Sequence, residues 1–317
     1  MTAAACPDDE FIRLLELDGP AAAAKSLGIS IRSVYNRRRR LENKLGRSLT
    51  VAVAREKNRL HELAKHPQRV TRDIVNGTIL IGSDAHYWPG LITTAHRAFM
   101  HFAKELQPTI VCLNGDVIDG ARISRHQPIG WENRPEVIQE IEACKERVGE
   151  IERAAPNALR VWTLGNHDSR FETRLATVAP EYARVHGFHL KDHFPYWQPC
   201  WSLWINEDVV IKHRFKAGIH APHNNTMWAG RSIFTGHLHS LKVMPLSDYN
   251  GTRFGVDTGT IAEPYGPQFR DYTEDSPTNW RSGFIVATIH KGRLLWPEIV
   301  HVLEDGVVEF RGKVVEV

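Results

Sequence analysis

Five short clusters of Asp, His and Asn stand out along this chain: GSDAH (82–86), GDVID (115–119), GNHD (165–168), KHR (212–214) and GHLH (236–239). In an extended segment residues i and i+2 point to the same side, so Asp84 and His86 can grip one cation, and His237 and His239 can reach toward the same cleft. Mixed carboxylate and imidazole donors suit Mn, Mg, Fe or Zn, the cations that handle phosphate oxygens. Taken singly, a DxH or NHD tripeptide is ordinarily structural or surface polar. All five in this order, four of them beside a glycine at a strand end, point to one two-metal centre for phosphoester chemistry.

Such a centre needs elements that bring distant segments together. TILIGS (78–83), TIVCLN (109–114) and LRVWTL (159–164) read as buried strands, separated by helical patterns over 91–106 and 134–154. Continuous apolar strands alternating with helices predict a covered sheet that is parallel at least in part. Each strand ends in a polar cluster, and in open α/β sheets sites form beyond the carboxyl ends of strands. Later strand patterns (201–205, 209–213, 232–236, 254–259, then FIVATIH and LLWPEIVHV) lie close together, which predicts antiparallel pairing and two packed sheets flanked by helices.

The five motifs resemble those of calcineurin-like metallophosphoesterases (D-x-H, G-D-x-x-D, G-N-H-D/E, a lone His after a strand, G-H-x-H) over residues 78 to about 262. The resemblance implies an α/β fold with a calcineurin-like β-sandwich flanked by helices and a dinuclear site. It implies that Asp84, His86 and His239 hold one metal, Asn166, His213 and His237 the other, and that Asp116 bridges them together with a water or hydroxide. His167 is implied to act on the substrate as acid or charge stabiliser, oriented by Asp168. Asp119 either positions ligands or caps a turn. Two divalent metal ions are expected, manganese first, with Mg, Fe, Zn and Ni as alternatives. Two features depart from the family pattern. Where phosphoprotein phosphatases carry Arg after the second Asp, this chain has Gly120, with Arg122, Arg125 and His126 following as candidate phosphate contacts. Arg214 replaces a glycine after His213, and Arg214 or Lys216 would favour a polyanion.

Net charge is +3, but residues 1–75 carry 15 Lys/Arg against 9 Asp/Glu, so the basic excess lies at the N-terminal end. There, Asp9–Leu17 is amphipathic, Pro20 opens a second helix ended by Gly28, and Ser30 caps a third closed by Gly46. Ile31, Val34, Leu41 and Leu45 can line its buried face, while Arg32, Ser33, Asn36, Arg37 and Arg40 can enter a groove. The stretch AAAAKSLGISIRSVYNRRRRLENKLGRSLT resembles the helix-turn-helix of LysR-type regulators, which implies DNA binding by the third helix; a helical docking or oligomerisation module is the alternative. The expected organisation is a small all-α helix-turn-helix domain at 1–50, a basic, partly helical linker at 51–75 and a phosphoesterase domain at 76–317.

No apolar run is long enough to span a membrane, and the first residues lack a signal-peptide pattern. The four cysteines form no CxxC pair, as expected of reduced thiols in a cytoplasmic protein. The expected function is a DNA-directed phosphodiesterase or nuclease with DNA as partner, and a homodimer if the DNA site is palindromic. The alternatives are a phosphomonoesterase acting on phosphoprotein or a small ester, and an inactive DNA-binding protein. Tyr87, Trp88 and Trp131 could stack on bases; Trp197, Trp201 and Trp204 are expected in the core.

Overall fold

The computed structural model describes residues 6–46, 49, 66–274 and 276–317. The chain divides into two compact units, Met1–His66 and Pro67–Val317.

In the first unit, α1 (Asp8–Leu27) is broken at Gly19, whose φ of 80° and ψ of 172° are non-helical, so Pro20 opens a fresh helical segment. Gly28, at φ 62°, ends that segment, and Ser30 caps α2 (Ile31–Leu45) by accepting the Ser33 N–H at 3.1 Å. Phe11, Leu15, Ala23, Val34, Leu41 and Leu49 form its core. Two expectations need correction here. Ile31 and Leu45 are exposed at 49% and 44%, because each lies at an end of α2 where this small core no longer covers it. Arg37 does not face a groove: its guanidinium lies over the Phe11 ring and bonds Asp8 at 3.0 Å, tying α2 to α1. Arg32, Ser33, Asn36 and Arg40 are exposed. Most of the expected linker, 51–65, lies outside the described residues.

The second unit runs β1 (Val70–Arg72), β2 (Gly77–Gly82), α3 (Thr94–Leu106), β3 (Ile110–Leu113), α4 (Val137–Ala154), β4 (Leu159–Thr163), α5 (Asp168–Val178), β5 (Gln198–Cys200), β6 (Leu203–Ile205), β7 (Val209–Ile211), α6 (Ala221–Ala229), β8 (Ser232–Thr235), β9 (Lys242–Asp248), β10 (Gly251–Asp257), β11 (Gly283–His290), β12 (Arg293–Leu294), β13 (Glu298–Glu304), β14 (Val307–Phe310) and β15 (Lys313–Glu316). A nine-stranded sheet has the order β15-β14-β13-β11-β2-β3-β4-β5, with β12 beside β11, and a six-stranded sheet has the order β1-β6-β7-β8-β10-β9.

Residue alternation explains why the central strands are apolar throughout. Ile79 and Ile81 of β2, with Ile110 and Cys112 of β3, meet Ile211, Phe234 and Val256 of the other sheet. Leu80, Val111 and Leu113 point the other way, against Phe99 and Phe102 of α3 and Ile141 and Val148 of α4. Both faces are therefore covered, as parallel strands require. The fold is a mixed α/β sandwich flanked by helices. β2, β3, β4 and β5 are parallel neighbours.

Antiparallel pairing of the later strands holds only in part. β7–β8 is parallel, because α6 carries the chain back across the sheet between them and a parallel neighbour needs such a crossover; β8–β10 is also parallel, with β9, antiparallel to β10, between them in the chain. Trp197 is buried, but Trp201 is 43% exposed; it lies before β6 rather than within it.

Candidate metal centre and its surroundings

The polar clusters meet where the parallel strands end. After β2 and β3 the two loops remain bonded to each other: Asp84 N–H donates to Gly115 O at 2.9 Å and His86 N–H to Asp116 O at 3.0 Å. The backbone is unusual there. Asp84, His86, Asp116, His237 and His239 all have φ between 39° and 72°. Non-glycine residues in this region carry a cost of about 1–3 kcal/mol each, and such residues collect at functional sites. Glycines give the clusters room. A Cβ on Gly165 would stand 2.0 Å from Asp116 Oδ1, and one on Gly115 would stand 2.4 Å from the His213 ring.

Donor atoms gather in three groups, each with all atoms within 4.8 Å of one another: Asp84, His86 and His239; Asp116, His213 and His237; and His86, Asp116 and His167. His239 Nε2 lies 3.0 Å from Asp84 Oδ1 and His213 Nε2 lies 3.0 Å from Asp116 Oδ2. In His86 and His213 the second ring nitrogen is engaged. His86 Nδ1 lies 2.8 Å from Asp119 Oδ1, and His213 Nδ1 donates to Asn114 O at 2.7 Å. These partners set the tautomers and turn His86 Nε2 and His213 Nε2 inward. His86 Nε2, His239 Nδ1 and Asn166 Oδ1 are buried without a hydrogen-bond partner, and His213 Nε2 has only the Asp116 carboxylate before it. Buried lone pairs are normally satisfied, so this donor set fits divalent cations.

The electrostatics agree. Burial works against protonation of His213, yet Asp116 and Asp84 overcome it and lift its pKa to about 10. For His237 burial dominates, with repulsion from His213 added, and its pKa falls to about 4. The two carboxylates thus create a strong demand for positive charge.

His167 stands beside these groups. Its Nδ1 donates to Asp119 O at 2.8 Å and is 3.2 Å from Asp119 Oδ1, while Nε2 lies 3.9 Å from Asp116 Oδ2. Burial opposes its protonation, but Asp116 and Asp119 raise its pKa above the usual histidine value. Burial likewise opposes ionisation of Asp119, and His167 and His86 together hold it far below the usual carboxylate range.

The expected role of Asp168 is corrected. It does not touch the His167 ring. At the start of α5, fully buried, it accepts N–H bonds from Gly165 (2.8 Å), Asp116 (2.9 Å), Val117 (3.0 Å) and Ile118 (3.3 Å), and from the Trp162 indole (3.0 Å). It fastens the second and third strand-end loops together, and Asp119 does the orienting.

Arg122, exposed, pairs with Glu136 at 2.8 Å and bonds Arg134 O. Arg125 and His126 are exposed on the same loop. The cation that reaches the centre is Arg170. Its guanidinium bonds Asp119 O at 2.9 Å and lies 3.1 Å from His167 Nε2, and its Cδ passes 3.4 Å from where a Cβ of residue 120 would sit. Arg170 thus fills space beside Gly120. Its spacing of three from His167, one helical turn, was the available signal. Phe269 and Trp280 wall the opposite side, their rings 5.0 Å from His86 and 4.6 Å from His239 respectively, and nothing in the sequence pointed to them. Tyr87 is buried with its hydroxyl on His96, whereas Trp131 is 78% exposed.

Among the described residues, no helix is long and apolar enough to cross a membrane. A family profile described as calcineurin-like phosphoesterase matches residues 77–250, more than half of the chain. Vps29 from Entamoeba histolytica, solved with Zn2+, is similar at 11% identity over 75% of this chain and 98% of its own, with a TM-score of 0.39. YfcE, a phosphoesterase from E. coli, is similar at 11% identity over 69% and 97%, with a TM-score of 0.33. No curated protein matches significantly.

Proposed function

The chain belongs to the calcineurin-like phosphoesterase family, and within it we propose a DNA-directed phosphodiesterase, a nuclease whose catalytic unit is joined to a DNA-binding helix-turn-helix. This is a metal-dependent phosphoric ester hydrolase. Action on DNA is supported by the N-terminal unit. The chain devotes a separate folded unit to a capped, basic α2 that keeps Arg32, Ser33, Asn36 and Arg40 exposed, the arrangement of a helix that enters a DNA groove. Residues 1–50 are proposed as this module; the catalytic domain begins earlier than the expected residue 76, because β1 pairs with β6 and Val70 and Ile74 join the core of Pro67–Val317.

In this reading Asp84, His86 and His239 hold one divalent cation and Asn166, His213 and His237 the other, with Asp116 shared. Two such ions, manganese by preference, would activate the attacking water and neutralise the phosphoryl oxygens. The protein's own groups do the rest. Asp119 orients His86 and His167. His167, with its raised pKa, can supply a proton from Nε2 to the leaving oxygen once the Arg170 guanidinium, now 3.1 Å from Nε2, turns to the substrate phosphate. Arg170 beside it offers guanidinium N–H groups to a phosphate oxygen. DNA is the proposed partner, and a helix-turn-helix reading two half-sites makes the homodimer part of the proposal.

The deciding experiment sets labelled single- and double-stranded DNA beside p-nitrophenyl mono- and diesters, with Mn2+ and with EDTA. Metal-dependent cleavage of DNA and of the diester is expected. Turnover of the monoester alone would replace this reading with a phosphomonoesterase.

A further inference from the structure

Beside His237 opens a cavity of about 370 Å³ lined by Arg214, Phe215, Lys216, Thr235, Gly236 and Leu238. This lies within the roughly 300–1,000 Å³ of small-ligand sites. Its composition is unusual for a loop that merely closes a fold. Among the described residues, neither Arg214 nor Lys216 forms an ion pair with a carboxylate, and both stand exposed. Aromatic faces are interleaved with them. Phe215 is 43% and Trp228 69% exposed, and the Lys216 ammonium lies 3.6 Å from the Trp228 ring centroid. The loop is held in place. Asn225 of α6, buried, accepts the Lys216 N–H at 3.0 Å and donates to Lys216 O at 3.4 Å.

The geometry points to a subsite for a single-stranded polynucleotide flanking the scissile phosphate: one backbone phosphate on Arg214 and Lys216, and unpaired bases on Phe215 and Trp228. This inference rests on the phosphodiesterase reading and names the substrate that the site selects. Cations track the backbone and aromatic faces take bases whatever their sequence, each stacked base contributing about 1–3 kcal/mol. A base inside a duplex has both faces covered by its neighbours, so this wall selects strands that are unpaired at the point of cleavage. A mononucleotide ester would engage only the first cation and ring.

Two measurements on the full chain test it. The first compares thymidine 5′-(p-nitrophenyl phosphate) with methyl p-nitrophenyl phosphate, which share a leaving group. In Phe215→Ala, kcat/KM for the thymidine ester, which presents a base but no flanking phosphate, should fall at least fivefold more than for the methyl ester. Equal falls on the two esters would overturn the subsite. The second measurement needs no turnover, so it separates failure of the subsite from failure of the phosphodiesterase reading. A trinucleotide carrying 5-iododeoxyuridine is irradiated with the protein in EDTA. Crosslinks should map to Phe215 or Trp228 and be competed by unlabelled single strand, not by duplex. Crosslinks confined to 6–46, or their absence, would overturn the inference. So would a dimer in sedimentation that dissociates on Trp228→Ala, since the patch would then be an interface between copies of this chain.

Discussion

Asp119 meets His167 Nδ1 with two oxygens, its carbonyl at 2.8 Å and its carboxylate at 3.2 Å, and the same carboxylate lies 2.8 Å from His86 Nδ1. One side chain therefore orients both a candidate metal ligand and the candidate proton donor. His167→Ala is expected to retain both metals by elemental analysis while kcat drops roughly 10²–10⁴-fold, the range for a lost general acid. Asp119→Asn should lower kcat and also weaken metal binding about 10–100-fold, because it disturbs His86. Loss of metal in His167→Ala would refute the assignment of His167 as a non-ligand.

Asp168 contrasts with Asp119. It accepts four backbone N–H groups and one indole, so removing it leaves buried donors unsatisfied in two loops at once. Asp168→Ala should cost on the order of 3–5 kcal/mol, as for other broken buried charged networks. Thermal unfolding should show a lower Tm, with metal content reduced in step. A stable, fully loaded protein with reduced kcat would instead mean that Asp168 acts on the chemistry.

Gly165 faces Asp116 so closely that a methyl group would sit 2.0 Å from Oδ1. Gly165→Ala should displace the shared carboxylate and reduce binding of both metals, read by calorimetric titration with Mn2+. Undiminished affinity for two ions would mean that Asp116 is not their common ligand.

Glu140, on α4, accepts the Gly120 and Ala121 N–H groups at 2.7 and 3.0 Å. Burial, with Asp119 adding to it, raises its pKa from 4.5 to about 7. A raised folded-state value means that the stability it contributes is fully present below pH 4.5 and is lost as pH rises through 7. At 1.36 kcal/mol per pKa unit, the loss is about 3 kcal/mol. Glu140→Gln should lose one backbone bond at every pH but show a flatter decline in stability between pH 4.5 and 7. Parallel urea-unfolding profiles for the two proteins would disprove the shift.

Arg32 and Arg40 are exposed on α2. If each touches a DNA phosphate, each alanine variant should weaken binding and reduce the slope of log K against log salt by about 1. Arg37→Ala should act mainly by loosening α1 from α2, with lower stability of that unit. Unchanged salt slopes in both Arg32→Ala and Arg40→Ala would remove DNA from the proposed function.

The sequence by itself determined the parts governed by short-range pattern. Ile79 to Ile81 and Ile110 to Leu113 are apolar because both faces of a parallel strand are covered, and the Gly-flanked Asp, His and Asn clusters mark where those strands stop. Ser30 and Gly28 are local signals of the same kind, set by capping chemistry. Tertiary structure decided what depends on approach between distant segments. Asp119, not Asp168, orients His167, because the loop after β3 crosses the start of α5 about 50 residues further along. Arg170 reaches past Gly120 for the same reason. Phe269 and Trp280 close on His86 and His239 from the far end of the domain, and the Lys216–Trp228 pair depends on how α6 folds back over its own loop. Sequence spacing carries the direction of a side chain for a turn or two, and beyond that only packing fixes which donor meets which acceptor.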